Sequence, residues 1–469
     1  MTRAFTRAET GAGVAVCVLA TAIALLPSES KLIAAGLLAV ILLIAWAATS
    51  QAGWVLAFVA AVLIVPPLPA DIGNSGVHPA LILAVVGVYA GVLWRNRWRG
   101  DAGPVGRYAT ALAVVMFASV AMALVYSGLA IAAGSAARVL LFAVTPWLFV
   151  YMAAGPGRVL AEGGLRHARM LFTCGVASAV FACLDFVYQF PAPSGYSPQY
   201  IWLEDRVLRR AQGLFYDAGA LGNICAFFIV MAAVCIVVRG RPAVNPWLAA
   251  LGAIPLGAAL VLSYSRAALL NVAAAVIALL IVRWRDVRWF RVAVVFPAGV
   301  VSAGAIALVM APVFTQAWAA RLARTVELAS AAADTAVSGR LSSWDTIAAF
   351  AVAHPLRVAV GVGYKTIAYS DVLGRELIAD NTWLSVLVET GIAGVAALLA
   401  LNAAILWTTF RAARSSNPRA AFYGTWAFAF WIGEMVQMCA ADLLTWWRLL
   451  PVVFFVIAMA TIATRQDAA

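Results

Sequence analysis

The chain has 469 residues, 65% of them hydrophobic and only 11% charged, and its mean hydropathy is +0.96. A soluble globular chain is nearer half apolar and a quarter charged, so a water-soluble enzyme or binding module is excluded in favour of a polytopic helical membrane protein. The net charge of +12 rests on 30 arginines and two lysines. In a soluble chain that excess would suggest nucleic acid, but in a membrane chain the positive-inside rule explains it first, so no nucleic-acid partner is expected.

In chain order, apolar runs long enough to cross a bilayer predict spans at roughly 10–26, 31–48, 53–69, 78–94, 108–127, 136–153, 168–190, 214–238, 246–264, 267–283, 291–312, 381–407, 420–440 and 446–463. The first run resembles a signal peptide, but a second span follows at once, and it is read as an anchored helix. The expected fold is all-α: a polytopic transmembrane bundle of about 12–14 spans forming a single integral membrane domain over 1–469. All six cysteines lie in apolar runs without metal-ligand spacing or a disulfide framework. No DxD occurs, and no metal or cofactor is expected.

With the N-terminus inside, the short basic loops WRNRWRG (94–100), RHARM (166–170), RGR (239–241), RWRDVRWFR (283–291) and RAARSSNPR (411–419) are cytoplasmic. Other basic residues fall in outer, periplasmic segments. Arg206, Arg209 and Arg210 lie in a loop at 191–213, where Glu204 and Asp205 are candidate partners. Arg266 lies at the hairpin between two spans. Arg321, Arg324, Arg340, Arg357, Lys365 and Arg375 lie in a large loop at 313–380. An outer arginine opposes the insertion bias, so a carboxylate partner or an anionic ligand is expected to retain it.

The large loop carries apolar residues at helical spacing in TQAWAARLARTVELASAA and in GRLSSWDTIAAFAVAHP, where Leu341, Trp344, Ile347 and Phe350 share a face. Two amphipathic helices are predicted, lying on the membrane or capping a cavity. The glycines of VAVGVGYKT (358–366) permit close backbone approach, a weak signal for phosphate.

Three stretches in this order are similar to the O-antigen ligase and polysaccharide polymerase superfamily of bacterial envelopes. They are GLFYDAGALGNICAFFIV (213–230), SYSRAALLNVAAAVIALL (263–280), and SGRLSSWDTIAAFAVAHPLRVAVGVGY followed by DNTWLSVLVETGIAGVAALLAL (380–401). The resemblance covers roughly residues 200–405. It implies inverting, metal-independent glycosyl transfer at the periplasmic face of the inner membrane, from a glycan on undecaprenyl diphosphate. The acceptor would be a growing glycan or lipid A-core, and the partners would include membrane lipids and a chain-length regulator.

In that reading Arg266 and Arg340 hold the diphosphate, helped by one of Arg206, Arg209 and Arg210, because guanidinium groups bind phosphate bidentately. Asp380 prepares the acceptor hydroxyl, and His354 is the other outer candidate for that task. Tyr264 and Trp344 offer faces to sugars. Asn381 lines the site, and Glu389, inside a span, partners an arginine of it. Family ligases commonly carry His-Asn where this chain has Asp380–Asn381, which tilts the reading from ligase toward polymerase. Bland alternatives stand beside each assignment: Arg266 reaching lipid headgroups, Arg340 at a solvated helix terminus, Asp380 as the N-cap of its span. A transporter or flippase of an anionic sugar lipid is the alternative from another class, against which stands the absence of an internal repeat.

Overall fold

The computed structural model describes residues 49–67, 71–72, 75–76, 78–98, 100–193, 195–202, 207–240, 242–294 and 340–468, with isolated positions at 41–42, 45–46, 315–316, 318–320 and 323. The expected spans 10–26, 31–48 and most of 291–312 lie outside these residues, as do Arg206, Arg321, Arg324 and most of the first amphipathic helix.

The described helices are α1 (Gly53–Ile64), α2 (Ala80–Leu93), α3 (Gly103–Ala153), α4 (Arg166–Tyr188), α5 (Ala218–Val237), α6 (Pro246–Leu262), α7 (Arg266–Val282), α8 (Arg340–Ala353), α9 (Pro355–Val360), α10 (Thr382–Ala413), α11 (Pro418–Met438) and α12 (Leu450–Ala468). The protein is an all-α polytopic membrane bundle. α3, α4, α5 and α10 are long and apolar enough to cross a membrane, and α1, α2, α6, α7 and α12 are shorter apolar helices. Large apolar side chains stand exposed around the bundle, among them Val88, Leu129, Leu251, Ile281 and Trp407. In lipid, such an exposed apolar surface is the expected one.

The helix starts are written in the sequence. Asn245 and Asn417 each accept a hydrogen bond from the backbone N–H two residues on, and a proline follows each at the first helical position. This pairs a capping side chain with a residue whose missing N–H costs nothing there. Asp217 caps α5 by accepting from Ala220 N at 2.6 Å, so the span expected from residue 214 begins at Ala218.

α3 is a hairpin and not one rod. Gly128 breaks it at φ 81°, ψ 175°, a backbone conformation open to glycine. Its two ends meet at Arg465, whose Nη1 donates to Asp101 O at 2.9 Å and Ala153 O at 3.3 Å. Near that end Gly106 lies against the Phe149 ring. The expected spans 108–127 and 136–153 are therefore its two antiparallel arms.

α12 runs through the centre. Leu450 to Ala463 are buried throughout, as an all-apolar helix should be. Phe227 of α5 packs on Trp426 of α11 with ring centroids 4.4 Å apart. One polar group interrupts this interior: Asn223 and Asn271 each donate to Glu434 Oε2 and Gln437 Oε1, at 2.8–3.3 Å, tying α5, α7 and α11 together.

The span expected at 446–463 begins later, at Leu450. Arg448 stands in the turn before it and ties that turn to two neighbours. It donates to Val62 O at 2.7 Å and Val65 O at 3.2 Å, and lies over the Phe215 ring at 4.5 Å. Burial pushes its pKa down to about 9. His78 accepts from Ala80 N through Nδ1 and donates to Val65 O through Nε2. Burial and then the Arg448 charge push its pKa down to about 3, so it is neutral there.

Two short antiparallel ribbons stand among the described residues, the first pairing β1 (Asp71–Ile72) with β2 (Ser75–Gly76). The second pairs β3 (Tyr200–Trp202) with β4 (Val207–Arg209), in the register Tyr200↔Arg209, Ile201↔Leu208, Trp202↔Val207. It gives part of the 191–213 loop regular backbone pairing.

Candidate active site at one end of the bundle

The SYSR hairpin is built by its serines. Ser263 Oγ donates to Leu260 O at 2.6 Å, closing α6, and Ser265 caps α7 by accepting from Ala268 N at 3.3 Å. Between them Tyr264 takes a left-handed backbone, φ 52°. It is buried and stacks on Trp318, with ring centroids 5.5 Å apart and planes 15° from parallel. Its ring is thus covered by another aromatic.

This turn sets Arg266 as the first residue of α7, half-buried. A helix N-terminus carries partial positive charge and disfavours a cation there. The Arg340 guanidinium also acts on Arg266. Positive potential so concentrated favours an anion.

The β3–β4 ribbon docks on the same hairpin. Ala211 N donates to Leu262 O at 2.9 Å, and Arg210 Nε donates to Ser263 O at 2.8 Å. Burial pushes the Arg210 pKa below its ordinary value; Asp217 and Asp380 oppose that shift and Arg340 adds to it. Arg210, Arg266, Arg340 and Asp380 therefore share one field.

Arg340, opening α8, pairs with Asp380 at 3.2 Å, with side chains 25% and 43% exposed. Asp380 has a left-handed backbone at φ 45°, which aspartate tolerates better than most residues. Trp344 steadies its turn, donating from Nε1 to Ala379 O at 2.8 Å. The cap of α10 is Asn381, which accepts from Trp383 N at 3.0 Å and Leu384 N at 3.1 Å. The capping alternative considered for Asp380 belongs to its neighbour.

Of the face expected on α8, Ile347 and Phe350 are buried while Leu341 and Trp344 are partly buried. Ile347 and Phe350 cluster with Val358, Val362, Ile367 and Val388, so the helix packs on the following loop and on α10. His354 follows its far end and lies against Phe350, ring centroids 5.0 Å apart. α8 has 14 residues, which separates His354 from Arg340 by ~20 Å at 1.5 Å per residue. His354 is not brought to the arginine group.

α10 is broken at Gly391, φ 75° and ψ −171°. The break frees the carbonyls of Val388 and Glu389, and the VGVG turn satisfies them: Val362 N donates to the first and Gly363 N to the second, each at 2.9 Å. The glycines of VAVGVGYKT thus serve close packing of two backbones. Glu389, 1% exposed, sits at this break. Its partner is Lys365 at 3.8 Å, where an arginine was expected, and Lys365 also makes a close ion pair with Asp442.

Arg209 leaves the group. Its Nη2 meets Asp185 Oδ2 at 3.4 Å, whereas Arg210, the residue after β4, turns to Ser263 O, as alternation along extended chain leads one to expect. Of the Arg206, Arg209 and Arg210 set, Arg210 is the described member that reaches Arg340 and Asp380.

Sequence reasoning missed Asp217, Lys365 with Asp442, and Arg448. For Asp217 the signal was present, an Asp three residues before Ala220 at the start of an apolar run. Arg448 was hidden because its turn was counted inside a span. Among the described residues no group of three or more His, Cys, Asp or Glu is placed to hold a metal.

Strain marks the same end of the molecule. The non-glycine residues with left-handed backbone, among those described, are Gln189, Tyr216, Tyr264, Lys365 and Asp380. Each costs of order 1–3 kcal/mol and persists where surrounding packing over-determines it, typically around binding and catalytic sites.

Residues 250–399 match the family described as O-antigen ligase. The match contains Arg266, Arg340 and Asp380, leaves Arg210 outside, and lies within the 200–405 stretch that carried the resemblance. It supports the O-antigen ligase and polymerase superfamily for this chain, an enzymatic, multi-pass membrane family. No curated protein matches the chain.

Proposed function

We propose, from the O-antigen ligase match at 250–399, that the protein is an inverting glycosyltransferase of the inner membrane. It moves a glycan from undecaprenyl diphosphate to an acceptor sugar at the periplasmic face, in the manner of a polymerase. The observation that carries this reading is the convergence of Arg210, Arg266 and Arg340 with the α7 N-terminus and the Asp380 carboxylate, with Arg210 bonded to the hairpin at Ser263 O. Guanidinium groups and helix N–H groups suit a diphosphate whose charge grows as it leaves.

The Arg340–Asp380 pair links binding to chemistry. A carboxylate held by a guanidinium is a poor base. When the diphosphate draws Arg340 to itself, the Asp380 carboxylate is released toward the acceptor hydroxyl. The hydroxyl oxygen then attacks the anomeric carbon, the carbon–oxygen bond to phosphate breaks with its electron pair on the leaving diphosphate, and the proton passes to Asp380. Direct displacement inverts the anomeric centre.

A second reading, transfer to lipid A-core, is favoured by the description of the matched family. Supplying donor alone separates the two: a polymerase lengthens lipid-linked chains, and a ligase is silent without its acceptor. Purified Arg266→Ala protein is expected to fold normally yet lose donor binding and turnover by at least about a hundredfold. Turnover like that of the wild type sinks the assignment.

A further inference from the structure

Beside the arginine group, next to strand β4, lies a cleft of about 300 Å³ whose lining residues all fall outside the family match at 250–399. It sits between the end of α4 and the 189–198 segment. We propose that this cleft is a carbohydrate-binding subsite, holding one sugar residue of the glycan substrate next to the reacting bond.

Its walls have the composition that sugar rings need. Tyr196 and Tyr216 stand with ring centroids 4.8 Å apart and tilted by 41°, and Phe190 adds a third ring. Such faces pack against the C–H side of a pyranose while planar polar groups take its hydroxyls. The polar groups are the Arg209–Asp185 pair and Gln189. Asp185 is 7% exposed, and Arg209 Nε is buried without a hydrogen-bond partner among the described groups. Charged and amide groups of this kind match the hydroxyls of a sugar and offer nothing to a lipid tail. The volume is at the small end of the range for ligand clefts, roughly 300–1,000 Å³, and suits a ring better than a polyprenyl chain.

Two of the left-handed residues, Gln189 and Tyr216, line this one cleft. Tyr216 immediately precedes Asp217, the cap of α5, and its carbonyl accepts from Gln212 Nε2 at 2.8 Å. The ring is thus held in place by backbone and not by the ligand. The chain supplies the connection: Arg209, the last residue of β4, lines the cleft, and Arg210, which follows it, is bonded to Ser263 O at the arginine group, so consecutive residues join the two places.

The identity of the glycan rests on the glycosyl-transfer reading, whereas sugar binding itself does not. The probe is the repeat-unit oligosaccharide released by mild acid from the source bacterium's own surface polysaccharide, added to the full-length protein in detergent. Saturation-transfer NMR should show saturable binding, weakened about tenfold in Tyr196→Ala and in Phe190→Ser, and unchanged in Gly257→Ala, where an added Cβ meets nothing within 4 Å. Both cleft variants change loop residues outside the helices, and their melting temperatures check folding. In turnover assays a KM raised for the donor alone, or for the acceptor alone, supports the subsite and tells which sugar it holds.

No binding by the wild type, or equal binding by the wild type and both cleft variants, overturns the proposal. Unchanged KM for both substrates also overturns it and leaves the glycosyl-transfer reading intact. Binding that is lost in the variants, from a protein that transfers nothing, upholds the subsite and overturns that reading.

Discussion

Asp380 combines a left-handed backbone, a partner in Arg340 at 3.2 Å and a substantially exposed carboxylate. Asp380→Asn keeps its shape and removes the proton acceptor. If Asp380 takes the acceptor's proton, kcat should fall by about 10²–10⁴. The donor KM should fall as well, because Arg340 no longer has a charged competitor for the diphosphate. Steady-state kinetics with a lipid-diphosphate donor checks both signs, and a kcat like that of the wild type removes Asp380 from the chemistry. At this scale the sequence was legible wherever a charge stood in the wrong place. Arg266 and Arg340 were singled out because the insertion rule does not explain them. Sequence could not tell Arg209 from Arg210, since adjacent residues in a loop carry no face until a strand forms. Nor could it pair Glu389 with Lys365, 24 residues earlier in the sequence, because that contact depends on the break in α10.

Helix by helix, hydropathy located most of the described spans, although the second arm of α3 starts earlier and α10 ends later than expected, and capping side chains explain the starts of α5, α10 and α11. What it could not supply was the interruptions. Gly128 and Gly391 each look like an ordinary small residue in an apolar run, yet each takes a backbone conformation that a side chain would oppose. At Gly391 the reason is also spatial, for an added Cβ would lie 2.4 Å from Ala359 O. Gly391→Ala should therefore destabilise the protein by about 2 kcal/mol or more, from backbone strain and the displaced VGVG turn. Thermal unfolding in detergent measures this, with Gly257→Ala as control, since nothing lies within 4 Å of a Cβ there. Equal losses in the two variants would mean that the break is not a fitted joint.

For the whole molecule, the charge asymmetry read from sequence becomes a statement about two ends. Arg283, Arg291, Arg411, Arg419 and Arg465 stand at one, and the arginine group with its strained turns stands at the other. If the second end faces the periplasm, Cys439 reports it. Cys439 is exposed beside Asn381, whose Nδ2 donates to its carbonyl at 3.2 Å, while Cys174, Cys183, Cys225 and Cys235 are at least partly buried within helices. A membrane-impermeant maleimide applied to intact spheroplasts should label the wild type and give a signal that Cys439→Ser lowers. Labelling of Cys439 only after lysis reverses the orientation. The all-α class and the membrane setting were legible from composition alone. The central place of α12 was not, because a helix that is apolar all round reads the same in lipid as in a protein interior.

The β3–β4 ribbon imposes an arithmetic on its own evolution. Arg209 ends β4, and Arg210, which follows it, extends the pairing by donating from its N to Gln199 O at 2.9 Å, so the two-residue period of extended chain assigns their directions. Gaining or losing a single residue within 207–209 would exchange their destinations, sending the guanidinium of the ion pair with Asp185 toward the arginine group and the other toward the cleft. Length changes there should be inherited in pairs, so the parity of this short segment is as constrained as the identity of either arginine.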